Sequence, residues 1–114
     1  MAQLPALDRR TLENLGEELS DPPGALEFLQ LFATMLPRRI DAVETAFAAH
    51  ATDDAVVALL SLHASAAMVG ACRLAEASST ALKSVGEPAR YGAEVARLRS
   101  LATDFQSALG GIIR

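Results

Sequence analysis

The chain has 114 residues, with four Phe, one Tyr, no Trp, a single Cys and a net charge of −4. That length suits one domain, residues 1–114, with one modest core. Scattered Lys and Arg without a basic stripe argue against nucleic-acid binding, and no run of about 18 apolar residues is present to span a membrane. Cys72 has no second cysteine to pair with, which fits a reducing cytosol. The opening "MAQLPALDRR" lacks the apolar core of a secretion signal, so a cytoplasmic protein is expected.

Half of the residues are apolar, and Ala and Leu, both good helix formers, dominate. A first helix is predicted from about Arg9 to Leu19, with Asp8 as N-cap and Leu12, Leu15 and Leu19 on one face. "SDPPG" then breaks the chain. Ser20 or Asp21 can cap the next helix, and Pro22 or Pro23 suits its first turn. This second helix covers about Ala25 to Ala49, where Phe28, Phe32, Met35, Leu36, Ile40, Val43 and Phe47 recur at helical spacing. Pro37 lies inside it and removes one backbone bond, so a kink is predicted near Ala33 to Leu36.

Thr52 or Asp53 in "HATDD" can cap a third helix running to about Val69, where Gly70 interrupts it. A fourth covers about Ala71 to Val85 and ends at Gly86, read as a left-handed stop. A fifth begins at "EPAR", with Pro88 in its first turn. It carries the stripe Tyr91, Val95, Leu98, Ala102, Phe105, Leu109 and Ile112, and Gly110 and Gly111 weaken its last turn. Short connections force antiparallel neighbours. The expected fold is all-α, an antiparallel up-and-down four-helix bundle with an additional short N-terminal helix.

The third helix raises the functional question. On a wheel of about 100° per residue, Ala55, Ala58, Leu59, Leu62, Ala66 and Val69 form a core stripe. Val56, Leu60, His63, Ala64 and Ala67 gather opposite, with Val57 and Met68 at the edge and only Ser61 and Ser65 on the remaining flank. A helix apolar all round is covered on both sides. Its second face is either buried by another element of the chain or left for a partner.

These residues resemble the central part of histidine-containing phosphotransfer (HPt) domains, the helical bundles of two-component phosphorelays. The resemblance lies in "DAVVALLSLHASAAMVGACRLAEASSTAL", where Leu62, Ser65, Ala67, Val69, Gly70, Ala71 and Leu74 fit the family's pattern. The earlier "FLQLFATMLPRRIDAVETAF" is similar to the family's preceding long helix, internal proline included, so the likeness covers about Leu7 to Lys83. Aligned without a gap, the phospho-accepting histidine position holds Leu60, the usual lysine position holds His63 and the usual glycine position holds Ala64. Leucine has no nucleophilic atom, so transfer through position 60 is chemically excluded.

What the resemblance implies is a non-phosphorylatable HPt-like module of phosphorelay signalling. Its partner-binding face would be Val56, Leu60, His63, Ala64, Ala67 and Met68. Its partner would be a response-regulator receiver domain, a histidine kinase or a second copy of the chain. The alternative is an active phosphotransfer protein in which His63, about 60° around and about 4.5 Å along the helix from Leu60, is a displaced acceptor. A phosphoryl group there needs cations nearby, for which Arg38, Arg39 and Arg73 are candidates.

Elsewhere, His50 at the end of the second helix complements the helix dipole. Cys72 at the start of the fourth helix is read as a small packed residue, the other option being a thiol of depressed pKa at a helix N-terminus. Ser78, Ser79 and Thr80 are read as a polar face, and Met35 and Met68 as packing residues, Met68 at the edge of the docking face. Two histidines without suitable carboxylate spacing argue against a metal site, no phosphate-binding glycine loop is visible, and no cofactor is expected.

Overall fold

The structure is a computed structural model and describes residues 6, 8, 10 and 22–113. It is all-helical. Four helices follow one another: α1 (Pro22–Ala48), α2 (Thr52–Met68), α3 (Cys72–Lys83) and α4 (Tyr91–Ile113), the last entered through a 3-10 turn, Pro88–Arg90. Of the predicted first helix, Arg9 to Leu19, all but Arg10 lies outside the described residues. Asp8, its predicted cap, does accept the Arg10 N–H at 3.0 Å, as an N-cap carboxylate does. The Asp8 N–H donates to Gly70 O at 2.6 Å, which ties this point of the chain to the corner between α2 and α3.

Each helix packs on its chain neighbours, and α1 also packs on α4. The pairs that meet fix the directions. Arg39 reaches Ser61, equally far on the other side of the α1–α2 corner, and His63 reaches Ala75 across the α2–α3 corner. Phe32 meets Phe105 near one end of α1 and Phe47 meets Tyr91 near the other. Ser84 and Glu76 face Glu94 and Arg97. All four touching pairs therefore run antiparallel.

The helix-period stripes predicted above supply the core. Leu29, Phe32, Leu36, Ile40, Val43 and Phe47 of α1 meet Leu59 and Leu62 of α2, Leu74 of α3, and Leu98 and Phe105 of α4, all buried. Ser78 is also fully buried, so the expected polar face is broken there. Its hydroxyl donates to the Leu74 carbonyl one turn back at 2.7 Å, which lets a small polar residue sit in the core without an unmet donor.

The helix ends follow local chemistry, and three points bear on expectation. First, as expected, α1 carries Pro22 in its first turn, where a missing N–H costs nothing, and it contains Pro37. Pro37 cannot bond the Ala33 carbonyl. Gln106 Nε2 of α4 donates to that carbonyl instead, at 3.3 Å, so the broken bond of one helix becomes a link between two.

Second, Thr52 and Asp53 do not cap α2. The N-cap is Ala51 with no side-chain bond, and Asp53 and Asp54 sit in the first turn, where their charge favours the helix dipole. Third, Gly86 is not a left-handed stop. Among the described residues the left-handed positions are Gly70 (φ 79°) and His50 (φ 52°). After α3, Ser84 N–H bonds Ala81 O at 3.0 Å and Glu87 N–H bonds Ser84 O at 2.9 Å. These tight turns keep φ negative and do not use the freedom of glycine.

The two left-handed corners are built alike. At Gly70, Ala71 N–H bonds Ala66 O at 2.8 Å and Gly70 N–H bonds Ala67 O at 3.2 Å. At His50, Ala51 N–H bonds Ala46 O at 2.9 Å and His50 N–H bonds Phe47 O at 3.0 Å. Both are Schellman closures, which glycine fills without strain and a side chain fills at a cost.

Candidate partner-binding face on the second helix

The core stripe of α2 is Ala55, Leu59, Leu62 and Ala66, all buried, with Ala58 packed against it. Its flanks are set by its neighbours. On one side Ser61 accepts a hydrogen bond from Arg39 Nη1 at 2.9 Å, so this flank faces α1. On the other, His63 Nδ1 lies 2.8 Å from the Ala75 carbonyl, so that flank faces α3. The remaining arc points to solvent. It begins with Asp53 in the first turn and then holds Val57 (66% exposed), Leu60 (52%), Ala64, Ala67 and Met68 (53%), with no charged side chain on this arc after Asp53.

The structure thus divides the sequence-predicted set. Leu60, Ala64, Ala67 and Met68 stand outward. Val56 and His63, expected on the same outward face, are half-buried, Val56 packed against the core and His63 at the seam with α3. At His63 it is the packing of α3 against α2 that covers this edge.

α1 extends the apolar surface. Phe28, Leu31 (56% exposed) and Met35 are large exposed apolar residues, and Met35 is therefore not the interior packing residue expected. With Arg39 and Ser65 they line a small cleft of about 60 Å³ along the seam with α2. All the large exposed apolar side chains among the described residues lie on α1 and α2, with none on α3 or α4. The half of the molecule that carries Leu60 is the half that could bury apolar area against a partner.

The geometry at His63 is specific. A carbonyl oxygen only accepts, so the ring nitrogen facing Ala75 is the N–H donor. In the neutral ring that fixes Nε2 as the nitrogen with a free lone pair, the one able to accept a proton or attack an electrophile. Of the cations considered for this position, Arg39 is held by Ser61 on the flank facing α1, roughly 200° round α2 from His63. Arg38 is exposed on α1, and Arg73 is half-buried in the first turn of α3.

The other candidates resolve as follows. Cys72 does not have a depressed pKa: burial and the nearby Asp8 carboxylate raise it, outweighing its backbone hydrogen bond. Its Sγ points to Gly70 O at 3.5 Å, and the thiol form is the favoured one. His50, expected at the end of α1, sits two residues past its last residue, Ala48, in the left-handed corner. Among the described residues, no group of three or more His, Cys, Asp or Glu could hold a metal ion, and no helix is long and apolar enough to cross a membrane.

Sequence reasoning missed two features. One is the His63–Ala75 link, whose acceptor is a backbone carbonyl and leaves no trace in side-chain identity. The other is an open groove of about 500 Å³ between α1 and α4, lined in part by Glu44, Phe47, His50, Tyr91 and Arg99. No protein-family model, no curated protein and no solved structure matches this chain.

Proposed function

We propose that the chain is an HPt-like, antiparallel up-and-down bundle that has lost its phospho-acceptor and works as a docking module for a receiver-type domain of a phosphorelay. The reading is supported by the resemblance of its central segment and by the long proline-containing helix that precedes it. The observation that carries it is Leu60. At the family's acceptor position it stands half-exposed in an apolar arc, two turns from Asp53 at the helix start, where a reactive ring would need to meet its partner. Covering Leu60 in a complex is worth about 1.5–3 kcal/mol, and its neighbours add to that. A second copy of the chain is the other occupant this surface suits.

A second reading is favoured by the bond from His63 Nδ1 to Ala75 O. With Nε2 unprotonated, His63 has the form a phosphoryl acceptor needs. Attack on a receiver's aspartyl phosphate would form the N–P bond, break the P–O bond and release the carboxylate. Half-burial at the α3 seam and displacement from position 60 count against in-line approach.

One experiment separates the readings. The protein is incubated with phosphorus-labelled receiver domains from the same genome, and both complex formation and label transfer are followed. A complex lost in Leu60→Asp, with no label on the chain, is the expected result. Acid-labile label that disappears in His63→Ala and stays in His50→Ala would establish the second reading. Neither a receiver complex nor label with any receiver domain would overturn both; self-association lost in Leu60→Asp would leave the surface without its phosphorelay role.

A further inference from the structure

The groove between α1 and α4 is independent of Leu60, since α2 contributes nothing to its lining. At about 500 Å³ it falls in the range of small-molecule sites. Its floor is apolar and fixed. Phe47 stacks on Tyr91 with ring centres 4.0 Å apart and planes 4° apart, and Val95 lies beside them. The Tyr91 hydroxyl donates to the Val85 carbonyl, which pins the ring. The rim is charged. Arg99 Nη2 bonds Asp41 Oδ1 at 2.9 Å and Glu44 Oε1 at 3.0 Å, and the two carboxylates hold its pKa up. Of these, Glu44 and Arg99 line the groove and Asp41 stands just beyond it on α1, so two carboxylates share one guanidinium and this edge keeps one negative charge in surplus.

His50 is the unexpected member. At the equivalent corner after α2 the left-handed position holds Gly70. Here the same position holds a histidine, whose backbone is strained at φ 52° and whose ring lies 6.2 Å from that of Tyr91 at 45°. Its ring nitrogens make no hydrogen bond to any described residue. Strain of this kind is a pointer to function when the side chain gains something from the position. What the imidazole gains is a place in the groove wall, where it continues the aromatic surface of Tyr91 and offers an acceptor in its neutral form.

We propose that this groove binds a small amphipathic amine. The apolar body lies against Tyr91 and Val95, the ammonium turns to the Glu44 side of the rim, and the His50 ring closes the end of the groove. Charge complementarity selects the amine over a carboxylate of the same shape, and the aromatic floor selects a ring or short hydrocarbon over a bare ion.

The test is a titration of the isotope-labelled full chain with 2-phenylethylamine, followed by amide chemical shifts, with phenylacetate as the comparator. Saturable shifts are expected at His50, Gly92 and Ala96, with phenylacetate weaker by about fivefold or more, the order of one ion pair near water. Glu44→Gln, which leaves the Arg99–Asp41 bond in place, should abolish that preference. His50→Gly should melt no lower than the parent, because glycine relieves the left-handed strain, yet bind the amine about threefold or more weakly, as loss of one aromatic contact predicts. Phenylacetate binding as tightly as the amine would overturn the proposal. So would unsaturable shifts scattered over the surface, or undiminished binding in His50→Gly.

Discussion

Leu59→Asp is expected to unfold the protein, and Leu60→Asp, one residue on, to leave it folded. Leu59 is fully buried among the apolar side chains of all four helices, with no cation at hand. A carboxylate there loses the leucine's burial and is desolvated without a partner. The combined cost of about 5 kcal/mol or more rivals the whole stability of a domain this size, about 5–15 kcal/mol. Leu60, by contrast, is 52% exposed. Its aspartate stays hydrated and costs only a difference in helix propensity, about 0.5 kcal/mol. Circular dichroism and a thermal melt distinguish the two. If Leu60→Asp melts like Leu59→Asp, residue 60 belongs to the core and the docking face does not exist.

Phe105→Ala should be the most costly truncation that still permits a fold. Phe105 is fully buried and is the largest side chain so enclosed. It packs edge-to-face on Phe32, with ring centres 5.4 Å apart and planes at 86°, and this contact holds α4 to α1. Lost transfer energy and the cavity left behind together predict about 3–5 kcal/mol, a fall in melting temperature of roughly 12–20 °C. A double-mutant cycle with Phe32→Leu should return a coupling of about 0.5–1.5 kcal/mol. A loss below about 1 kcal/mol would mean that the neighbours collapse into the space, and that the α1–α4 contact is not held by these rings.

Much of the fold was legible because helix periodicity reports which side of each helix is buried. The stripes on α1, α2 and α4 match the core apart from Phe28 and Met35 of α1, which are exposed, and the proline at Pro22 and the break at Gly70 lie where the chain turns. Periodicity does not say how far a neighbouring helix wraps round that stripe. That is why Val56 and His63, both half-buried, were placed on the open face, and why Met35 was read as interior. Residue type also misled at the turns. Gly86 looked like the left-handed stop, yet the chain leaves α3 through tight turns of negative φ, and a histidine takes the left-handed position after α1. Thr52 and Asp53 had the right chemistry for a cap but lie one and two residues inside the helix that starts after Ala51. The groove beside His50 could not be read at all. It depends on residues of two segments far apart in sequence, Glu44 to His50 and Pro88 to Arg99, meeting where α1 packs on α4, and nothing local encodes that meeting.

We propose that the arc of α2 around Leu60 is the surface the protein presents to its partner. Mapping amide signal changes as an unlabelled receiver domain is added tests it directly. Val57, Leu60, Ala64, Ala67 and Met68 should broaden first, joined by Leu31 and Met35 of α1, while Val95 and Arg99 of α4 remain unchanged. A footprint centred on α4, or on the α1–α4 groove with the α2 arc silent, would contradict it.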